Sequence, residues 1–485
     1  MNINRLDLLT DFYQLTMMQA HFRAGRHNIA AVFEMFIRKN PGGNGFSIFA
    51  GLAQFVEYLE NLHFDNSDIN YLRGLDIFDE DFLAYLLDFK FTGDVHAMAE
   101  GSVVFPGEPL IVVRAPIIQS NFIETAMLNI INHQSLIATK SARVCHAAEG
   151  DFVMEFGLRR AQGPDAGIYG ARAAFIGGCG ATSNVLAGKL FGIPIRGTHS
   201  HSWIMSFDCE LEAFRAYAKA MPEKCILLVD TYNTLKSGVP NAIKVFDELA
   251  IGNSSKSYGI RLDSGDFAYL SKMARQMLDE AGHTRAHITA SGDLDEDLIQ
   301  SLKLQGAQID FWGVGTRLIT SKSAPAMGGV YKLAAIEDGA GRMQPRIKLS
   351  ENPEKVTVPG IKKVYRVYDA DHNKIKADLI TLADETIDQT KDLTLFDPKA
   401  PWKKMLLKAG EYYLKELLQP IFKDGVSIYD APQTAQIRDF CLAEQESLWD
   451  EHRRLVNPHI MPVDLSQELY DLKQQMVYEG GDALW

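Results

Sequence analysis

The feature that most constrains the fold is a series of four apolar segments that end in polar residues, the first three followed by amphipathic helix patterns. The segments are CILLVDTYN (225–233), YGIRLDSGD (258–266), HITASGDLD (287–295) and IDFWGVGTRL (309–318). Their ends lie roughly 20 to 35 residues apart, the length of βα units in a parallel sheet or barrel. The sequence therefore predicts an α/β domain in the middle of the chain.

Polar or glycine residues follow the apolar core of each of these predicted strands. They are Asp230, then Asp263 with Asp266, then Asp293 with Asp295, and finally Gly313 with Gly315. A single acid in this position is usually the cap of the next helix. The carboxyl ends of parallel strands share one face, which carries the active site in α/β barrels. Three acidic ends and one glycine-rich end in succession therefore predict a shared anion- or metal-linked site.

A pair of histidines lies upstream of this series, in IRGTHSHSWIMSF (195–207). A metal site needs a third histidine or acid, and the sequence offers no clear set. A satisfied polar loop needs no chemistry at all. A histidine can also serve as acid, base or nucleophile. The residues alone leave these three interpretations open.

Three further segments concern anion binding. EFGLRRAQGPDAG (155–167) places Arg159 beside Arg160, which suits a phosphate or carboxylate, although an ion pair with Glu155 is an equal alternative. GGCGATSN (177–184) lacks the G-x-x-x-x-G-K-[ST] pattern of a P-loop and favours a packing turn before a helix cap. In WGVGTRL (312–318), two glycines and Thr316 at a strand end predict a phosphate contact.

Composition excludes several classes of protein. The net charge is −13 and no block of basic residues occurs, which argues against a nucleic-acid partner. The five cysteines are odd in number and form no CxxC pair, which suits a reducing compartment. The N-terminus lacks the apolar core of a signal peptide, and no run of 18 apolar residues occurs. We therefore expect a soluble cytoplasmic protein with no membrane contact.

The rest of the chain divides into an N-terminal and a C-terminal part. Residues 1–140 mix a helix pattern at 52–62 with two short strand patterns at 101–117, which indicates an α+β domain. The segment from about 345 is rich in lysine and arginine, and the last hundred residues read as helical and charged. A solvated helical extension is the prediction there.

Seven segments, in order over nearly the whole chain, resemble nicotinate phosphoribosyltransferases. They are LLTDFYQLTM (8–17), FEMFIRKNP (33–41), EFGLRRAQGPDAG, GTHSHSWIMSF, LLVDTYNTLKSGVPNAI (227–243), GIRLDSGD (259–266) and GVGTRL. The resemblance implies an α/β-hammerhead-like domain over 1–140 and an irregular TIM-like α/β barrel over 141–485, including the extension. It also implies that nicotinate and 5-phosphoribosyl-1-diphosphate give nicotinate mononucleotide and diphosphate, with ATP hydrolysis, in NAD biosynthesis.

The resemblance assigns roles to several residues. His201 would accept a phosphoryl group from ATP, as a neutral imidazole nitrogen can. Thr198 and Arg261 would contact nicotinate, and Arg261 suits its carboxylate. Tyr13 would stack on the pyridine ring in the neighbouring subunit's site, which implies a homodimer with shared active sites. His199 is left without a role.

The remaining roles concern the phosphoribosyl diphosphate and its Mg²⁺. Thr316 would contact it, with Gly313 and Gly315 exposing backbone amides. Asp230, Asp263 and Asp293 would hold ribose hydroxyls or the Mg²⁺ of the diphosphate, and Asp263 is counted with His201 as catalytic. The candidates for balancing the diphosphate charge are Arg159, Arg160, Lys332 and Lys348.

Three other functions compete with this prediction. A nicotinamide phosphoribosyltransferase would leave Arg261 without its carboxylate partner. A non-catalytic, nucleotide-binding regulator on the same barrel would have no use for His201. A metal-dependent barrel aldolase or hydrolase would hold a transition metal tightly.

Overall fold

The structure, a computed structural model, describes residues 5–249, 257–352 and 355–482. The chain forms two compact units. The first takes the chain up to Leu136, the segment Ala326–Pro432 and the chain from Phe440 onward, and the second takes Ile137–Pro325 and Gln433–Asp439. The chain returns to the first unit because strand Gly329–Glu337 pairs antiparallel with strand Ala30–Ile37. This division differs from the single boundary at 140 that the sequence suggested.

The described residues form helices and strands throughout. The helices are α1 Phe12–Arg23, α2 Leu52–Asn61, α3 Asn66–Arg73, α4 Glu80–Leu87, α5 Ile117–Phe122, α6 Glu124–Ala147, α7 Pro164–Gly177, α8 Val185–Phe191, α9 His201–Met205, α10 Glu210–Ala220, α11 Val239–Glu248, α12 Phe267–Glu280, α13 Glu296–Leu304, α14 Thr316–Ile319, α15 Thr434–Glu446, α16 Asp450–Arg453 and α17 Gln467–Asp482. The strands are β1 Ala30–Ile37, β2 Ser47–Ile48, β3 Asp94–Ala97, β4 Val103–Val104, β5 Ile111–Pro116, β6 Phe152–Glu155, β7 Ala181–Thr182, β8 Lys224–Leu228, β9 Ser257–Leu262, β10 His287–Gly292, β11 Phe311–Val314, β12 Gly329–Glu337, β13 Met343–Pro345, β14 Lys362–Asp369, β15 Ile375–Leu382, β16 Leu393–Phe396, β17 Lys404–Leu407, β18 Tyr412–Glu416, β19 Gln419–Lys423, β20 Val426–Ser427 and β21 Val463–Leu465. None of the helices in these ranges has the length and apolar character that crossing a membrane requires.

The first unit contains an antiparallel sheet and a smaller mixed sheet. The larger sheet has the order β13-β12-β1-β5-β3-β19-β20, and the smaller has the order β18-β14-β15-β21. Strand β1 is buried along most of its length because it lies in the interior of the larger sheet, between β12 and β5. The helix predicted at 52–62 and the strands predicted at 101–117 are confirmed as α2, β4 and β5.

The prediction of a helical extension from about 345 is wrong. Eight strands, β13 to β20, lie between residues 343 and 427, and the helices α15 to α17 begin only at Thr434. The charges that suggested a solvated surface are partly buried in β14. Lys362 lies 2.8 Å from Glu34, and Arg366 lies 2.7 Å from both Asp378 and Glu444. Paired charges can occupy a core position, so charge alone did not identify the exposed face.

The second unit is built on six parallel strands in the order β7-β6-β11-β10-β9-β8. The four strands predicted from the βα series are confirmed as β8 to β11, and the helices between them as α11, α12 and α13. Read from β8, the spatial order is β8-β9-β10-β11-β6-β7, which is the chain order in cyclic form. The sheet is therefore a curled half-barrel whose open edges are β7 and β8.

Candidate active site

The acids at the strand ends of the half-barrel divide into two groups. Asp266 accepts a hydrogen bond from the Tyr269 amide at 3.0 Å and caps α12. Asp295 caps α13 in the same way. Asp230 instead accepts hydrogen bonds from the loop that follows β9, and Asp263 accepts them from Arg261 and Ser291, as described next. Each predicted pair of acids thus contains one helix cap and one acid that is free of that role.

Asp230 organises the carboxyl end of β8. Its Oδ1 lies 3.2 Å from Nε2 of His201. Its Oδ2 accepts the Asp263 backbone N–H at 2.9 Å and the Ser264 hydroxyl at 2.7 Å. The Asp230 side chain is 2% exposed, whereas that of His201 is 39% exposed. Because a carboxylate can only accept, Nε2 of His201 is the nitrogen that donates to Asp230, so in the neutral form of the ring Nδ1 is the unprotonated nitrogen.

Arg261 lies on the same face, near the end of β9. Its Nη1 donates to the Thr198 hydroxyl at 2.6 Å and to the His199 carbonyl at 3.3 Å. Its Nη2 lies 3.3 Å from Oδ1 of Asp263, which also accepts the Ser291 hydroxyl at 2.5 Å. The Nε of Arg261 is buried and has no hydrogen-bond partner among the described residues. The guanidinium is thus fixed in orientation but not fully satisfied.

The two adjacent arginines lie at the end of β6. The suggested ion pair with Glu155 is absent, because that carboxylate accepts the Thr182 hydroxyl at 2.6 Å and the Gly157 amide instead. Burial raises the pKa of Glu155. Arg159 and Arg160 are exposed, and neither forms an ion pair with an acid in the described part of the chain. They remain available to an anion.

The glycine-rich end of β11 has a packing explanation. A Cβ on Gly313 would lie 2.6 Å from the Phe156 ring, and a Cβ on Gly315 would lie 3.2 Å from the Phe156 carbonyl oxygen. Thr316 then begins the short helix α14. Both glycines allow β11 to approach the end of β6, and the predicted phosphate contact remains a prediction. The GGCGATSN turn is confirmed as a helix cap, since Asn184 caps α8.

Three predicted residues, Tyr13, Lys332 and Lys348, belong to the first unit, and Asp293 is an exposed acid after β10 in the second. Lys332 on β12 lies 3.8 Å from Glu124. Burial lowers the pKa of Lys332, Glu124 opposes this, and the positive charges of Arg38 and Lys348 lower it further. Burial raises the pKa of Tyr13 on α1, and Glu124 raises it further. The structure thus gathers Tyr13 and Lys332 near Glu124, with Lys348 close to Lys332, within this unit.

Sequence reasoning missed two serines that bond the site carboxylates and the acid that lies beside Lys332. Ser264 and Ser291 bond the carboxylates of Asp230 and Asp263 respectively. Both follow an apolar strand core, so the strand-end pattern could have found them. Glu124 stands at the start of a helix pattern and gives no such signal. Within the described ranges, no three or more His, Cys, Asp or Glu side chains are grouped so that they could hold a metal ion.

Comparison with known proteins decides the family. The NAPRTase N-terminal domain profile, that of nicotinate phosphoribosyltransferase, matches residues 8–132, and the corresponding C-terminal domain profile matches residues 361–473. Nicotinate phosphoribosyltransferase of Bacillus subtilis is 47% identical over 474 residues, which cover 98% of this chain and 96% of that protein. The chain belongs to the nicotinate phosphoribosyltransferase family of enzymes.

Other nicotinate phosphoribosyltransferases extend this similarity to eukaryotes and to solved structures. The human enzyme is 33% identical over an alignment of 525 positions, which covers 96% of this chain and 95% of that protein. A crystal structure of human nicotinic acid phosphoribosyltransferase aligns with a TM-score of 0.83 at 30% identity, covering 97% of this chain and all of that one. A Pyrococcus furiosus nicotinate-nucleotide pyrophosphorylase shares the fold, with a TM-score of 0.70 at 21% identity.

Proposed function

We propose that the chain transfers the phosphoribosyl group of 5-phosphoribosyl-1-diphosphate to nicotinate, giving nicotinate mononucleotide and diphosphate. The observation that carries this proposal is Arg261. Its side chain is 14% exposed, Thr198 and Asp263 fix its orientation, and its buried Nε lacks a partner in the described structure. A guanidinium held in this way suits a planar carboxylate. Nicotinate carries that carboxylate, whereas nicotinamide carries a neutral amide.

The proposed transfer is electrostatic and positional. The pyridine nitrogen of nicotinate bonds to C1 of the ribose while the bond from C1 to the diphosphate oxygen breaks, through a state that resembles an oxocarbenium ion. Asp263 lies beside Arg261, where its negative charge would stabilise that cation. Within the second unit, the diphosphate charge would be balanced by the exposed cations Arg159 and Arg160, with Thr316, Gly313 and Gly315 as further contacts.

A magnesium ion bound through the diphosphate would neutralise the leaving group. Mg²⁺ takes oxygen ligands and usually keeps several waters. Asp293 is the exposed strand-end acid, and no hydrogen bond engages its carboxylate among the described residues. Asp230 and Asp263 are already hydrogen-bonded, so Asp293 is the acid best suited to that ion.

The proposal includes a phosphohistidine that couples the reaction to ATP. His201 Nδ1 would bond to the γ-phosphorus while the bond from that phosphorus to ADP breaks, and water would later release phosphate. The support is the Asp230 contact, which holds the proton on Nε2 and leaves Nδ1 as the nucleophile. The Asp230 contact also fixes the orientation of the His201 ring, as the aspartate of a Ser-His-Asp triad does for its histidine. In this role the chain brings nicotinate into NAD biosynthesis.

The base preference tests the substrate. We expect kcat/KM for nicotinate to exceed that for nicotinamide by on the order of 10- to 100-fold, because a hydrogen bond to a charged group adds roughly 1.5 to 3 kcal/mol. Both bases are assayed side by side with 5-phosphoribosyl-1-diphosphate and ATP, and the mononucleotides are quantified by mass spectrometry. Preference for nicotinamide would assign the chain to the rival enzyme. Turnover of neither base would favour a non-catalytic, nucleotide-binding role.

The proposal also covers the assembly and the complete fold. The cyclic strand order supports an irregular TIM-like barrel in the second unit, and we propose a hammerhead-like arrangement for the N-terminal part of the first. A homodimer with shared sites would use Tyr13, which is 48% exposed at the start of α1 beside the exposed Phe12. Exposed apolar side chains also line α8, at Val185 and Leu190. Such surfaces suit a protein interface.

Mixing two inactive variants tests the sharing of sites. In mixed dimers of Tyr13→Ala and His201→Ala, one of the two sites would have both residues intact. We expect the exchanged mixture to recover about a quarter of wild-type activity, because half of the dimers are mixed and each holds one complete site. Subunit exchange is verified with two affinity tags. Verified exchange without any recovery would show that each chain supplies both residues to its own site.

A further inference from the structure

The segment that carries the two histidines spans the open edges of the half-barrel. Ile195 forms a parallel bridge with Thr182 of β7, and the Arg196 amide donates to the Thr182 carbonyl at 3.1 Å. At the other edge, the Leu228 amide of β8 donates to Nε2 of His199 at 3.3 Å. The amide of the next residue, Val229, donates to the Arg261 carbonyl of β9 at 3.1 Å. Successive amides of a strand point in opposite directions, so the Leu228 amide points away from the sheet. His199 therefore satisfies an edge donor that no neighbouring strand reaches.

The surroundings of His199 fix its protonation state. The residue is 8% exposed, and its ring contacts Tyr217 edge-on with centroids 4.5 Å apart. Burial lowers the pKa of His199 to about 4, so the imidazole is neutral at neutral pH. An amide can only donate, so Nε2 is unprotonated and the proton sits on Nδ1, which lies 3.4 Å from the Ser200 carbonyl. His199 and His201 are thus held in opposite tautomers.

His199 lies between the two groups that the reaction is proposed to use. On one side, Thr198 accepts a hydrogen bond from Arg261, which also donates to the His199 carbonyl. On the other side, His201 begins α9 and contacts Asp230. The anchor at Leu228 thus holds the backbone from which both side chains extend.

We propose that His199 is a positioning residue: its Nδ1–H imidazole joins the histidine segment to β8 and so places Thr198 at the nicotinate carboxylate and His201 at the phosphoryl donor. The inference rests on the proposed function. It assigns His199 a role distinct from that of His201, since the His199 ring is packed against Tyr217 and bonded to the Leu228 amide. Loss of the anchor displaces groups that must be aligned, and a displacement of about 1 Å can cost on the order of 100-fold in rate.

Three variants separate positioning from simple stability. His199→Phe keeps an aromatic ring against Tyr217 but removes the acceptor. His199→Gln restores an acceptor in the form of an amide oxygen. His283→Phe is the matched control, because His283 is also buried and its ring packs edge-on against Phe246 and Tyr258, but it lies before β10 at the opposite end of the sheet from the predicted site.

We expect His199→Phe to lower kcat/KM for nicotinate by on the order of 100-fold and to slow labelling of His201 by ATP, because both flanking groups are displaced. The KM for 5-phosphoribosyl-1-diphosphate should change less than twofold. The kcat/KM of His199→Gln for nicotinate should be at least tenfold higher than that of His199→Phe. His283→Phe should lower the Tm without these changes. Wild-type kinetics of His199→Phe, or equal losses in both 199 variants and the control, would overturn the inference.

A spectroscopic measurement tests the anchor without relying on activity. In ¹⁵N-histidine NMR of the full chain at pH 7, the signals lost in His199→Phe should show a protonated Nδ1 and an unprotonated Nε2. An imidazolium or an Nε2–H form at that position would overturn the inference even if the enzyme is fully active. If the tautomer is as expected but wild-type enzyme does not convert nicotinate, the proposed function fails and the positioning role falls with it, while the anchor itself stands.

Discussion

His201→Ala is expected to abolish labelling of the protein by [γ-³²P]ATP. The wild-type chain should acquire an acid-labile, base-stable phosphate, which is the behaviour of phosphohistidine. His201 is the solvent-accessible imidazole that Asp230 orients at the predicted site, so its removal takes away the acceptor. The measurement is the ³²P that remains bound to the protein after treatment with base and, in a parallel sample, after treatment with acid.

The control for this experiment is His372→Ala. His372 is an exposed histidine in the turn after β14, bonded to Asp369 at 2.8 Å, and it belongs to the first unit. Its removal should leave labelling and turnover unchanged. Equal labelling of the His201→Ala and wild-type proteins would remove His201 from the proposed role and place the phosphate elsewhere.

Asp230→Asn sharpens the same prediction by testing the tautomer. The asparagine amide can donate to Nε2 of His201, which would move the ring proton to Nδ1 and block the nucleophile. We expect labelling to slow by on the order of 10²- to 10⁴-fold while the fold is kept, as judged by an unchanged Tm within a few degrees. Labelling at the wild-type rate would show that Nε2, or another group, is the acceptor.

The half-barrel strands could be predicted from the sequence because their signals are local. Each is a short apolar run with a polar end and a helix after it, and the four predicted strands lie side by side as β8 to β11. The partnership of β6 with β11 was not predictable in this way. The pairs Glu155–Val314 and Phe152–Phe311 join segments about 160 residues apart, and no local pattern encodes such pairing.

The strand-end acids show where local signals fail. Asp263 and Asp266 stand three residues apart in the same motif, yet the first bonds Arg261 and the second caps α12. The difference is set by the backbone: Asp266 stands directly before the first helical residue, where its carboxylate meets free amides. The sequence identified the acidic cluster, and the start of each helix decided which member belongs to the site.

The two histidines show a second kind of failure. In the sequence, His199 and His201 differ only in their neighbours, and both stand among serines. Their roles separate because one faces a backbone donor on β8 and the other faces a carboxylate. Both partners are 29 residues away in the chain. A side chain's partner at that distance depends on which way the segment crosses the sheet edge, and that follows from the fold.

Arg261→Gln is expected to have the second large effect. Removing one partner of a largely buried charge pair costs about 2 to 4 kcal/mol, or roughly 30- to 1000-fold in kcat/KM for nicotinate. The KM for 5-phosphoribosyl-1-diphosphate should be less affected, because Arg159, Arg160 and Thr316, which are predicted to contact its diphosphate, lie at the ends of β6 and β11. Arg261→Lys keeps the charge but loses the planar guanidinium, so its kcat/KM for nicotinate should lie between those of the wild-type and Arg261→Gln proteins. Steady-state kinetics with each substrate varied in turn measures the separation.

The same variant should also collapse the discrimination between bases. Nicotinamide makes no charge pair with Arg261, so its turnover should change little, and the preference for nicotinate should be lost. The control is Arg215→Gln, since Arg215 forms an exposed pair with Glu248, 2.6 Å apart, on the surface of the same unit. An equal loss for nicotinate and nicotinamide would mean that Arg261 supports the site through Asp263 and Thr198 rather than binding the carboxylate. A loss confined to nicotinate, with a normal Tm, would place the carboxylate at the guanidinium.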